Sequence, residues 1–271
     1  MRAFASALAI SLALAGCAAP PAAAPAAGDG PARRVASLNL CTDELLLLLA
    51  EPDQIVSLTH LAARPAESPL AEQARPYPAN DGSLTAVVAQ RPDLVLAMGG
   101  GGDRLRIAGR LGIRLVDLPF PQSIDEVIAS IRTVAAALGQ EERGAALIAR
   151  IEAMRDSPPS ETVDAIWIGG GGRTVAADGL EAEWMALAGY RQRAVSSNQV
   201  QLEEMLANPP AVLLRSDYRG GQYSRSQAWL DHPLARARRG SREIATDGRL
   251  WTCMGPLLAG EIERLRVERP R

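Results

Sequence analysis

The 271-residue chain contains no lysine, and all 29 of its basic residues are arginine. A phosphate-loop lysine, a Schiff-base enzyme and a lysine general base are therefore excluded, since each needs an ammonium on a flexible stem. Histidine is nearly as scarce: His60 and His232 are the whole supply, too few for a histidine cluster or a paired metal site. Neither a nucleophile elbow of the G-x-S-x-G kind nor metal-spaced histidines occur, which disfavours the alternative of an α/β envelope enzyme. With 31 acidic side chains against 29 basic ones the formal charge is −2, so there is no electrostatic reason to bind nucleic acid. The remainder, 47% apolar and 22% charged, is the balance of a globular protein.

Residues 1–16 read as a signal peptide. Arg2 precedes the apolar run Ala3 to Ala15, too short to span a bilayer but suited to secretion. Leu14-Ala15-Gly16-Cys17 resembles the lipobox of bacterial lipoproteins, which implies that Cys17 is acylated and becomes the first mature residue. Residues 17–32, rich in Ala and Pro, then form a tether with a reach of at most about 45 Å. An ordinary signal peptide cut nearby is the competing reading.

From Arg33 onward strand and helix signals alternate. Apolar runs at Val35–Leu38, Ile55–Leu58, Asp93–Met98 and Ile113–Leu118 read as strands. Helical patterns fall at Leu45–Ala50, Leu84–Ala89 and Arg104–Leu111. The alternation predicts a parallel sheet covered by helices. Ser123-Ile124-Asp125-Glu126 has the form of a capping box and opens a long helix that Gly139 weakens or kinks and Pro158-Pro159 ends. A second α/β set follows, with strands at Ala165–Ile168, Ala211–Leu214 and Glu243–Ala245 and helices at Glu181–Ala188, Leu202–Ala207 and Ala259–Arg266. Hence a first lobe at 33–122, a linker helix at 123–157 and a second lobe at 158–271. An internal repeat supports the division: Leu84, Val88, Ala89, Pro92, Val95 and Leu96 recur at a constant offset of 118 as Leu202, Leu206, Ala207, Pro210, Leu213 and Leu214. Convergent patterning in a chain rich in leucine and alanine is the plainer explanation. A structural envelope lipoprotein would leave the repeat without a purpose.

Arg34-Val35-Ala36-Ser37-Leu38, Arg91-Pro92-Asp93-Leu94-Val95-Leu96, Leu111-Gly112-Ile113 and the capped linker helix follow one another in an order that resembles the substrate-binding proteins of cobalamin and ferric-siderophore ABC importers. The resemblance spans about residues 33–269. It implies an α/β class III periplasmic binding protein of the helical-backbone metal-receptor type, with two Rossmann-like lobes joined by a single long helix. It further implies a periplasmic monomer without catalytic residues, resident metal or cofactor. Such a protein captures a metal chelate (ferric siderophore, cobamide or heme-like ligand) between its lobes and delivers it to an ABC permease and its ATPase.

Ligands of open parallel sheets sit beyond the carboxyl ends of the strands. That rule selects the turns 39–42, 59–64, 99–103, 169–173, 216–225 and 250–254, and with them Cys41, Thr42, Thr59, His60, Met98, Gly99, Gly169, Arg173, Tyr218, Arg219, Trp251 and Cys253. The glycine runs at 99–102 and 169–172 lack the third glycine of G-x-G-x-x-G and read as a flexible rim rather than a dinucleotide loop. Arg215, Arg219 and Arg225 with Tyr218 and Tyr223 could clamp an anionic ligand or form a solvated loop. His60 is either a chelate contact or a hydrogen-bonded loop residue; His232, beside Pro233, reads as a surface turn. Cys41 and Cys253 fall one to a lobe, bridged if their Cα atoms lie within about 7 Å and otherwise two thiols lining a pocket. The strictness of that geometry favours the unbridged pair.

Where the family's cobalamin binders place aromatic rings, this chain has Thr59, Met98 and Gly169, with Trp251 as a partial replacement. Another chelate is therefore favoured over cobalamin. The family docks to its permease through one carboxylate on each lobe. Glu203 matches that position in the second lobe, whereas Thr85 occupies it in the first, where Asp81 is a nearby substitute.

Overall fold

The structure, a computed structural model, describes residues 30–217, 233 and 240–270. Cys17, Tyr218, Arg219, Tyr223, Arg225 and His232 lie outside the described residues.

Two separate parallel sheets are present. In the first, β1 (Val35–Ser37), β2 (Ile55–Thr59), β3 (Ala79–Asn80), β4 (Leu94–Met98) and β5 (Arg114–Leu118) lie in the order β3-β2-β1-β4-β5. In the second, β6 (Val163–Ile168), β7 (Tyr190–Gln192), β8 (Val212–Asp217) and β9 (Arg242–Asp247) lie in the order β7-β6-β8-β9. The inner strand β4 is apolar and buried at every position, as expected of a parallel strand covered on both faces.

Helices α1 (Leu40–Leu49), α2 (Ala71–Ala74), α3 (Leu84–Val87) and α4 (Gly102–Arg110) belong to the first lobe. The second contains α7 (Leu180–Leu187), α8 (Leu202–Ala207), α9 (Leu250–Cys253) and α10 (Leu258–Glu268). The repeat is structural: α3 and α8 begin 118 residues apart, as do β4 and β8, and each strand is an inner one flanked by β1 or β6 on one side. The two short strands β3 and β7, the single-turn α2 and α9 carry too few residues to show a period, and the sequence reading does not contain them.

Between the lobes lie α5 (Ile124–Leu138) and α6 (Glu141–Asp156). The expected kink at Gly139 is a full stop: this residue adopts φ +67° and its N–H caps Ala135 and Ala136, a left-handed helix end that glycine adopts without a Cβ penalty. The chain then folds back, so that a Cβ built on Gly144 would stand 2.6 Å from the Ala135 methyl. The capping box forms with one change. Ser123 Oγ accepts from Glu126 N at 3.3 Å, while the Glu126 carboxylate accepts from Gln122 N at 2.7 Å. Ile124 N also donates to Glu183 Oε2 on α7 at 2.7 Å, which ties the start of the spine to the second lobe. One apolar cluster runs from Leu46 and Leu96 through Ile131 and Leu138 to Trp184 and Leu258, so α5 packs against both lobes.

Candidate functional site

In each sheet the strand order reverses beside the first strand, and that reversal opens a crevice at the carboxyl ends. In the first lobe it lies between β1 and β4, where Asn39 to Cys41 and the Gly99 run emerge. In the second it lies between β6 and β8, where 169–173 emerges. Gly99 has φ +66°, and a Cβ there would stand 2.1 Å from the Phe120 ring, so only glycine lets this turn pass.

The two lobes meet covalently. Cys41 and Cys253 form a disulfide with a Cα–Cα distance of 5.2 Å, 212 residues apart in sequence. This corrects the preference for an unbridged pair, because the packing of both lobes on α5 brings the two Cα atoms within bonding range. Each cysteine is held by its own lobe. Asn39 Oδ1 accepts from Cys41 N at 2.8 Å as the N-cap of α1. Helix α9 is pinned from two sides: Trp251 Nε1 donates to Thr246 Oγ1 at 2.8 Å, and Trp184 Nε1 donates to the Met254 carbonyl at 3.0 Å. Thr246 in turn donates to Glu261 at 2.5 Å, and Arg264 binds that carboxylate, holding its pKa below the usual range against the opposing effect of burial.

Behind the disulfide is a cavity of about 20 Å³ lined by residues of both lobes and the spine, among them Glu44, Met98, Ser130 and Pro256. It has room for about one water molecule. Glu44 is 3% exposed, and its Oε1 has no hydrogen-bond partner. Burial, and secondarily the neighbouring Asp43 carboxylate, push its pKa up to about 8, so the acid is protonated at neutral pH. Asp43 is buried too, which raises it to about 6 although hydrogen bonds from Thr59 and Ser37 oppose the rise.

The selected residues separate by environment. His60, Gly99 and Arg173 are exposed at the ends of β2, β4 and β6, and Cys41 is half-buried. His60 Nδ1 lies 3.3 Å from the Asn80 carbonyl. Thr42 is fully buried, its hydroxyl 2.8 Å from Ser37 Oγ and 2.9 Å from the Asn39 carbonyl. Thr59 donates to Asp43 Oδ2 at 2.5 Å. Met98 is buried in the cavity wall and Gly169 lies under the Trp167 ring. Trp251 is buried with its indole N–H engaged, and its ring packs at 5.8 Å on Trp167, so it builds the second lobe rather than offering a free face. Glu203 is exposed in the first turn of α8, and Thr85 is exposed in α3.

Sequence reasoning missed Glu44, which stands just ahead of the helical pattern assigned to Leu45–Ala50. The signal was available: its same-face neighbours one turn away are Leu40, Cys41, Leu47 and Leu48, a stripe that buries whatever lies within it.

A family model described as "Periplasmic binding protein" matches residues 35–157. No curated protein matches the sequence. Among solved structures, the periplasmic heme-binding protein HutB of Vibrio cholerae superposes with a TM-score of 0.69 at 17% identity, over 87% of this chain and 98% of that one. The periplasmic vitamin B12-binding protein BtuF of Vibrio cholerae gives 0.64 at 19%, over 88% and 96%. The apo heme-binding protein RhuT of Roseiflexus sp. RS-1 gives 0.64 at 23%, over 87% and 97%. The fold is that of the class III periplasmic binding proteins, and the resemblance read from the sequence holds.

Proposed function

We propose, from this match of family model and fold, that the chain is the substrate-binding component of an ABC importer, taking a metal chelate between its lobes in the periplasm. The observation that carries the reading is the duplicated parallel sheet, each copy with its own strand-order reversal, in two lobes joined by the Cys41–Cys253 bridge. Heme, cobamides and ferric siderophores are the candidate cargoes, since relatives of the same fold are named for heme and vitamin B12. Of the residues selected at the strand ends, His60, Gly99 and Arg173 are exposed. An imidazole can serve as an axial donor to a chelated metal, and a guanidinium can pair with a chelate's carboxylates. Acylation of Cys17 would hold the protein at a membrane. The protein carries its cargo without transforming it.

Native mass spectrometry of the purified protein against hemin, cyanocobalamin and ferric siderophores tests this reading. One bound mass is the expected result, and no bound mass from any of the three classes overturns it.

Docking to the permease is assigned to the ends of α3 and α8. Val88 and Leu206, equivalent in the repeat, are both exposed, at 38% and 41%. Each lobe thus presents an apolar spot at the same place, with Glu203 beside one and Thr85 beside the other. Replacing Glu203 by Arg is expected to abolish uptake in cells while leaving ligand affinity in solution unchanged. Unchanged uptake removes the docking role.

A further inference from the structure

We propose that the Cys41–Cys253 disulfide is a redox latch, which when oxidised ties the two lobes together over the cavity and when reduced lets them part about the α5 spine. The inference depends on the two-lobed fold and not on the identity of the cargo.

Three observations carry it. The bond joins α1 of one lobe to α9 of the other at the crevice, across 212 residues, so it constrains the relative position of the lobes and not the inside of either. The α9 anchors, Trp251 to Thr246 and Trp184 to Met254, all lie within the second lobe. The Asn39 cap of α1 lies within the first. Breaking the sulfur bond therefore leaves both cysteine-bearing helices held by their own lobes. Among the described residues a further bond across the crevice, from Arg249 Nη1 to the Pro65 carbonyl at 2.8 Å, is exposed.

The third observation is a force for opening. Glu44 has an unpartnered oxygen in a cavity walled by Cys253, Gly255 and Pro256 of the second lobe. Parting the lobes brings water to that carboxyl, and hydration of an unpaired polar group favours the parted form. The covalent bond opposes it, together with the Arg249–Pro65 hydrogen bond and the apolar packing of both lobes on α5.

The reduction requires a dithiol donor. Its thiolate attacks the Cys41 sulfur, the less buried of the two, and the Cys41–Cys253 bond breaks. The mixed disulfide is resolved by the donor's second thiol. Two electrons and two protons end on Cys41 and Cys253 as thiols, and the donor leaves as a disulfide.

The test is small-angle X-ray scattering with amide hydrogen exchange on the purified protein, without cargo, in three states: oxidised, reduced with dithiothreitol, and Cys253→Ser. The latch predicts a larger radius of gyration and at least tenfold faster exchange in residues 40–49 and 250–258 for the reduced and variant proteins, with β4 and β8 still protected. Equal dimensions and exchange in all three states overturn it. Exchange in β4 and β8 as fast as in residues 40–49 and 250–258 overturns it too, because breaking the bond then unfolds the lobes rather than parting them.

Discussion

Glu44 is the residue whose chemistry departs most from its sequence context. Its carboxyl has a usual pKa of 4.5 and reaches about 8 in the folded protein, so between those values the folded state binds a proton that the unfolded state has lost. Stability is fully present below pH 4.5 and falls as pH rises toward 8, by on the order of 5 kcal/mol at about 1.4 kcal/mol per pKa unit. Asp43, raised from 3.8 to about 6, has the same sign, but its share of the fall is complete by about pH 6. The drop between pH 6 and 8 therefore belongs to Glu44. Urea midpoints at pH 6 and 8 are expected to differ in the wild type and to coincide in Glu44→Gln, whose amide is neutral throughout. Equal midpoints in the wild type would show that the carboxyl is wet.

At the scale of elements, strands and helices with their own period were legible. Strands β4 and β8 fall where the apolar runs place them, and α8 has the expected bounds Leu202–Ala207. What the sequence hid were the pieces decided by a partner: β3 and β7, which exist through pairing with β2 and β6, and the reversal at Gly139. The spine contains its own check. Gly144 packs with a built Cβ 2.6 Å from the Ala135 methyl, which has no rotamer with which to retreat, whereas Gly109 in α4 has nothing within 4 Å. Alanine at either position gains about 1 kcal/mol of helix propensity, but at 144 overpacking costs roughly 1–3 kcal/mol. Thermal melts should show Gly109→Ala stabilised and Gly144→Ala destabilised. The same sign at both sites would mean that α5 and α6 do not pack this closely.

At the scale of the whole molecule the decisive contact is the one least visible in the chain. Spacing placed Cys41 and Cys253 in crevice turns, one per lobe, but whether those turns meet depends on how α5 packs against both lobes, and no local pattern encodes that. Once the contact exists, its effect on folding follows from polymer physics. A cross-link closing a loop of about 212 residues removes chain entropy from the unfolded state worth about 5 kcal/mol, near the upper end of measured disulfides. Native-state strain lowers that figure by raising the energy of the folded, linked chain, and residual unfolded structure lowers it by narrowing the gap between the linked and unlinked unfolded chains. Urea unfolding of Cys41→Ser/Cys253→Ser against the oxidised wild type should therefore show a loss between about 2 and 5 kcal/mol, with a larger m-value for the variant, whose unfolded chain expands further. A loss confined to the oxidised protein's advantage, absent when both are compared in dithiothreitol, assigns the effect to the bond. A difference that persists under reducing conditions assigns it to the packing of the cysteine side chains against the core instead.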